Sequence, residues 1–175
     1  MLPKGMDGIT RRGFFKAASP ALLLGLGSIP VGATAALASL SNPACLRIYR
    51  DLNALTAGLL YPSESDYPLN LIRLPLDAIP TNERLADLLG LGNKTVTSEQ
   101  LDRFIRRRFT DFAGIDPETR TTYRRFRELG AYFNRTFGTT NCRAYRIDTI
   151  QVKVLFLGFK PGCGYIGTQT VAIET

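Results

Sequence analysis

Residues 151–159, Gln-Val-Lys-Val-Leu-Phe-Leu-Gly-Phe, restrict the fold more than any other stretch of this chain. Successive side chains of a strand point to opposite faces. Val152, Val154 and Phe156 therefore share one face, and Leu155, Leu157 and Phe159 share the other. A strand with one wet face alternates apolar and polar residues, whereas this one is apolar on both and has to be covered on two sides. Residues 144–148 before it and 165–175 after it also have strand character. A tight turn near Asp148-Thr149 and a second at Lys160-Pro161-Gly162 separate the three. Short turns make these strands antiparallel, and the chain has to bring helices to both faces of the sheet.

The helices precede the hairpins. Ser41 or Asn42 before Pro43 is a helix start, because proline fits a first turn where its missing N–H is not needed. Leu46, Tyr49, Leu52, Leu55 and Leu59 recur every three to four residues, and Gly58 marks the end. A polar loop at 62–68 leads to a short strand at 69–74. Pro80-Thr81-Asn82 opens a second helix with Leu85, Leu88 and Leu89 inward, closed by Gly90. Thr97 with Gln100 has the form of a capping box for a third helix carrying Leu101, Phe104, Ile105 and Phe109. Asp116-Pro117 starts the longest helix, with Tyr123, Phe126, Leu129 or Gly130, Phe133 and Phe137 on one face. The expected architecture is α/β, a three-layer α/β/α sandwich with a largely antiparallel sheet.

The first 38 residues read differently. Thr10-Arg11-Arg12-Gly13-Phe14-Phe15-Lys16 followed by a moderately apolar run broken by Pro20, Gly25, Gly27 and Pro30 has the pattern of a twin-arginine export signal. Ala36-Leu37-Ala38 is the preferred cleavage pattern and Ala33-Thr34-Ala35 the second choice. The competing readings are a buried core helix and an uncleaved membrane anchor. The export reading divides the chain into a signal, 1–38, and one domain, 39–175, folded before export, released from the membrane by cleavage, and periplasmic or extracellular.

Removing that segment changes the electrostatics. The 175-residue chain carries +7; Lys4, Arg11, Arg12 and Lys16 against Asp7 account for +3, leaving +4. Residues 39–102 are net −3 and residues 103–175 net +7, so the domain is dipolar rather than uniformly cationic. No histidine is present. Ser-His-Asp and Cys-His nucleophiles, histidine-ligated zinc and histidine-based nuclease chemistry are thereby excluded. Three cysteines, Cys45, Cys142 and Cys163, match no zinc or CxxC spacing. Cys142 and Cys163 flank the expected hairpin and are the favoured disulfide pair in an oxidising compartment, against a reading with all three free and buried.

Two clusters are candidate sites. In Ser63-Glu64-Ser65-Asp66-Tyr67-Pro68, two carboxylates, two hydroxyls and an aromatic fall between a helix end and a strand. Glu64 and Asp66 suit a divalent cation, an acid–base pair or a cationic partner; a capped turn accounts for the same residues. The absence of tryptophan removes the aromatic platform that a paired-carboxylate glycosidase would use. The second cluster is Arg103, Arg106, Arg107, Arg108, Arg120, Arg124, Arg125 and Arg127. It suggests nucleic acid or another polyanion, but the aromatics fall on the apolar faces instead of among the arginines, which a solvated helix face explains as well. The glycines of 158–167 follow a strand without opening a helix, so they describe a hairpin and not a phosphate loop.

Gly58-Leu59-Leu60-Tyr61-Pro62-Ser63-Glu64-Ser65-Asp66-Tyr67-Pro68, together with a chain ending Gly167-Thr168-Gln169-Thr170-Val171-Ala172-Ile173-Glu174-Thr175, resembles the nuclease A inhibitor family. The resemblance runs from about residue 43 to residue 175. It implies an α/β/α sandwich without enzymatic activity or cofactor that blocks a sugar-non-specific, magnesium-dependent DNA/RNA endonuclease, here one met outside the cytoplasm. In that family the C-terminal threonine enters the nuclease active site near its metal, and the glutamate of the Ser-Glu-Ser block makes a main polar contact. The matching positions are Thr175 and Glu64, with Ser63, Ser65, Asp66, Tyr67 and Glu174 around them. Family inhibitors tend to be acidic and hold a tryptophan in their central contact region; this domain is +4 and has none. The alternatives are an exported binding protein that meets nucleic acid or another polyanion through its arginines, and an enzyme using Glu64 and Asp66 with a metal.

Overall fold

A computed structural model describes residues 42–148 and 151–173. The expected signal, 1–38 with Arg11 and Arg12, and residues Glu174 and Thr175 lie outside the described residues. Four helices, α1 (Pro43–Thr56), α2 (Asn82–Leu88), α3 (Leu101–Arg108) and α4 (Pro117–Phe137), accompany seven strands. The strands are β1 (Leu60–Tyr61), β2 (Tyr67–Pro68), β3 (Asn70–Leu74), β4 (Val96–Gln100), β5 (Cys142–Ile147), β6 (Val152–Lys160) and β7 (Gly164–Ala172). β1 and β2 form a small hairpin, and the other five make one sheet in the order β3-β7-β6-β5-β4, antiparallel throughout. Mixed helix and antiparallel sheet agree with the expected α/β class. Among the described residues no helix is long and apolar enough to cross a membrane.

The doubly apolar segment is β6, the central strand. Val154 and Phe156 join the larger core under α1, α3 and α4, with Val152 at its edge. Leu155 and Leu157, with Phe159 half-buried beside them, join a second cluster that contains Leu85 of α2, Tyr145, Ile147 and Tyr165. The larger core is aromatic at its centre: Phe109 stacks on Phe126 with centroids 4.0 Å apart, and Tyr61 meets both edge-on at 6.1 and 5.9 Å. The end of α4 packs tightly on β6. A Cβ added at Gly158 would enter the ring of Phe137, so only glycine lets helix and strand approach this closely. Asp116 caps α4, accepting hydrogen bonds from the backbone N–H groups of Glu118 (3.0 Å) and Thr119 (2.9 Å). The Thr119 side-chain hydroxyl and then these backbone bonds, all to its charged form, hold the Asp116 carboxyl below its ordinary pKa.

Three sequence expectations need correction. Cys163 pairs with Cys45, not Cys142, with Cα atoms 5.5 Å apart. Cys142 opens β5 and Cys163 lies just before β7, with β6 between those strands. Two strand spacings come to about 9.5 Å, beyond disulfide reach. Cys142 is instead a buried free thiol whose Sγ donates to the carbonyls of Phe133 and Gly138, and burial pushes its pKa from 9.0 to about 12. The disulfide turns α1 so that Cys45, Ile48, Leu52 and Thr56 face inward. Leu46 and Tyr49, expected inside, stay 49% and 39% exposed, and so does Leu88 of α2 at 42%. Thr97 and Gln100 form no capping box. They lie in β4, where Thr97 pairs with Arg146 of β5, and α3 starts only at Leu101, without a side-chain cap from Gln100.

Candidate functional site

The Ser-Glu-Ser block is the connection between β1 and β2, whose register pairs Leu60 with Pro68 and Tyr61 with Tyr67. Its base is fixed from within. Tyr61 is fully buried among Phe109, Phe126 and Phe156, so the residue before Pro62 is an aromatic plug in the main core. α1 delivers the chain to this point. Its last carbonyls would be unpaired, but Arg125 of α4 donates to those of Leu55 (3.3 Å), Ala57 (2.7 Å) and Gly58 (3.3 Å).

The loop is closed by its own residues, as a capped turn would be. The backbone N–H of Ser63 donates to Asp66 Oδ1 (3.4 Å), and the Ser63 hydroxyl donates to the carbonyl of Ser65 (2.6 Å). It is also tied to the far end of β7. Glu64 N–H donates to the carbonyl of Ile173 (3.3 Å), Ile173 N–H donates to Ser63 Oγ (3.4 Å), and Thr170 Oγ1 donates to the carbonyl of Tyr67 (3.3 Å). Glu64, Ser65 and Asp66 are exposed, and Tyr67 is half-buried.

The expected site residues thus divide cleanly. Ser63, Glu64, Ser65, Asp66 and Tyr67 come together in one rigid loop, while Glu174 and Thr175 lie outside the described residues, immediately beyond Ile173. Among the described residues no three His, Cys, Asp or Glu side chains gather closely enough to hold a metal ion. A groove of about 390 Å³ runs between the hairpin and the start of α4, with the carboxylates of Asp66 and Glu118 on its walls. Sequence reasoning names Arg125 and Arg108 only as members of a cationic cluster and Ile173 only within the chain-end motif, and misses that all three brace the loop; Arg108 Nη2 donates to the Pro62 carbonyl (3.5 Å). No local pattern marks them, because each acts on a segment far away in the chain.

Much of the arginine group is engaged by partners within the fold. Arg106 pairs with Asp102, Arg124 with Glu128 at 3.9 Å, and Arg127 with Asp111 at 2.8 Å while also donating to the Phe109 carbonyl. Arg120 donates to the Ile115 carbonyl, and Arg125 closes α1. Several of these cations therefore act as connectors between elements.

At one end of the frame the disulfide joins the first turn of α1 to the turn before β7. At the other, the Ile173 bonds join the loop after α1 to the residue after β7. The segment that carries the loop and the strand that leads to the chain end are clamped at both poles.

No curated protein matches this chain closely enough to serve as a relative. A family model described as "Nuclease A inhibitor-like protein" matches residues 47–175. That span takes in α1 from its second turn, the loop, every strand and the residues beyond β7, and the chain belongs to the nuclease A inhibitor-like family.

Proposed function

We propose that this protein is an exported, non-enzymatic inhibitor that blocks the active site of a sugar-non-specific, magnesium-dependent DNA/RNA endonuclease. The contact is made by the loop 63–67 together with Glu174 and Thr175. The single observation that carries this reading is the hydrogen bonding of Ser63 and Glu64 with Ile173. It fixes the loop beside the strand whose covalent continuation is Glu174-Thr175, and two residues reach at most about 7 Å.

The chemistry follows from what a nuclease cleft binds. Such a cleft is cationic and built for phosphate, so a carboxylate can occupy it as a substitute anion. Glu64 offers one carboxylate on a backbone held at both ends, which lowers the ordering cost of binding. The carboxylate and hydroxyl of Thr175 are hard oxygen donors of the kind Mg²⁺ prefers, supplied to the partner's metal. Ser65 and Asp66 flank Glu64. The hydroxyl of Ser63 and the carbonyl of Tyr67 hold the loop to β7. The scaffold reading is the three-layer sandwich, supported by an apolar cluster on each face of the sheet. Export through residues 1–38, with Arg11 and Arg12 as the recognised pair, is supported by the Cys45–Cys163 disulfide, since such bonds persist in oxidising compartments.

The test is an inhibition titration against a secreted nuclease of this class. Deleting Thr175 raises the inhibition constant by about 100-fold or more, and Glu64→Gln by about tenfold, the scale of truncated interface anchors. Arg106→Ala, which breaks a surface pair with Asp102, leaves it within about twofold. A deletion of Thr175 that inhibits like the parent protein removes the chain-end mechanism. An unchanged Glu64→Gln variant reduces the loop to a capped turn.

A further inference from the structure

The two halves of α1 are held differently. The second half is tied in by buried Leu52 and Thr56, by the three bonds from Arg125, and by the Tyr132 hydroxyl, which donates to Asp51 Oδ2 (3.3 Å). The first half has less beneath it. Leu46, Arg47, Tyr49 and Arg50 are exposed, and a cleft of about 320 Å³ lies between Ala44, Arg47 and Ile48 on one side and Tyr132, Thr136 and Lys160 on the other. Asn42 caps the helix by accepting from the N–H of Ala44 (2.9 Å), a bond within the same segment that fastens it to no other element. Buried Ile48 and the Cys45–Cys163 disulfide fasten this half to the sheet.

The two cysteines also differ in what else holds them. Cys163 belongs to the hairpin between β6 and β7: its N–H donates to the Lys160 carbonyl (3.0 Å), its own carbonyl accepts from Arg73 Nε (3.2 Å), and β7 begins at the next residue. These bonds involve no sulfur and outlast reduction. Cys45 lies in the first turn of its helix, where local opening costs least. Cys142 does not compete for either partner, because it is buried away from them as an un-ionised thiol. We propose that the Cys45–Cys163 bond is a redox switch on the first half of α1, docked when oxidised and open over residues 43–50 when reduced. In reduction a dithiol gives up two electrons and two protons: the S–S bond breaks, Cys45 and Cys163 become thiols, and the dithiol closes to its own disulfide. A disulfide oxidant runs the same exchange backwards. Proteases need unfolded backbone, so Arg47 and Arg50, exposed but helical, become cleavable only in the open form. The switch goes beyond the nuclease reading and does not depend on it, since the bonds of Ser63 and Glu64 with Ile173 contain no sulfur.

The test is hydrogen–deuterium exchange of the full chain, read by mass spectrometry in three states: oxidised, treated with dithiothreitol, and re-oxidised with glutathione disulfide. Amides of residues 43–50 exchange about tenfold faster or more in the reduced chain and regain their protection on re-oxidation, while residues 59–68 and 152–160 stay within about twofold. Cys45→Ser/Cys163→Ser shows the reduced pattern without reductant, and Cys142→Ala responds to dithiothreitol as the parent chain does. Trypsin cuts after Arg47 or Arg50 in the reduced chain and not in the oxidised one. Equal protection of residues 43–50 in all states overturns the proposal and makes the bond a passive staple. Acceleration of residues 152–160 to the same degree overturns it in favour of a loss of global stability. A folded chain that gains no alkylatable thiol beyond Cys142 in excess dithiothreitol overturns it as well, since a switch must be reached by its reductant.

Discussion

Cys142 shows how burial sets the chemistry of one side chain. Its Sγ is fully enclosed and points at two carbonyls, and with no cation or helix N-terminus to favour the thiolate its pKa rises to about 12. The native protein should therefore leave Ellman's reagent unreacted at pH 8 and expose one thiol per chain once unfolded without reductant. A fast native reaction would show that the site opens. The raised pKa also sets a pH dependence. Folded and unfolded forms are both protonated below pH 9, so the thiol's contribution to stability is complete there. It is lost as the pH climbs from 9 toward 12, where only the unfolded chain ionises. Urea midpoints at pH 8 and pH 10.5 should fall in that order, and the drop should shrink in Cys142→Ala without vanishing, because burial also raises the pKa of Tyr132, Tyr145 and Tyr165. Residue identity was easy to read and residue pairing was not. Glu64 and Asp66 were recognisable as one loop because they are neighbours in sequence. Choosing Cys45 over Cys142 for Cys163 required the strand order, which no cysteine spacing encodes.

At the level of elements, β6 was the most legible part of the chain, since alternation with both faces apolar has only one economical solution, a central strand between two cores. Its seam with α4 gives a sharp prediction. Gly158→Ala places a methyl group in the ring of Phe137 and should cost about 1–3 kcal/mol, seen as a lower urea midpoint with an unchanged slope. An unaffected midpoint would mean that the helix end yields freely. α1 and β4 were read less well, for different reasons. The α1 sequence supports two apolar faces about one residue apart, and the disulfide and sheet contacts choose the one with Cys45, Ile48 and Leu52. At 97–100, a short polar segment fitted a helix cap locally, but its backbone groups complete the ladder with β5 instead. Tertiary pairing outweighs a local cap when a strand partner is already in place.

For the whole molecule, charge was the least reliable guide. The arginine cluster of the basic half suggests a polyanion partner or a solvated helix face, yet the fold uses Arg125, Arg127 and Arg120 to satisfy carbonyls and a carboxylate of other segments. Arg107 and Arg108 are likewise engaged, with the Glu99 carboxylate and the Pro62 carbonyl. The disulfide acts at the same scale. Closing 118 residues of chain, it should add about 5 kcal/mol in the chain-entropy description, and Cys45→Ser/Cys163→Ser should lose most of that while keeping its fold.

That bond also makes residues 45–163 a covalent ring, which matters wherever proteases are present. A single cut at the exposed Lys94, or at any other point inside the ring, cannot release a fragment. The piece bearing Glu64 and the piece bearing β7 stay on one body, still hydrogen-bonded across Ile173. After limited trypsin treatment, the nicked chain should run as one species without reductant and as two with it. Separation before reduction would place the cut outside the ring. A protein closed this way can be wounded and remain whole.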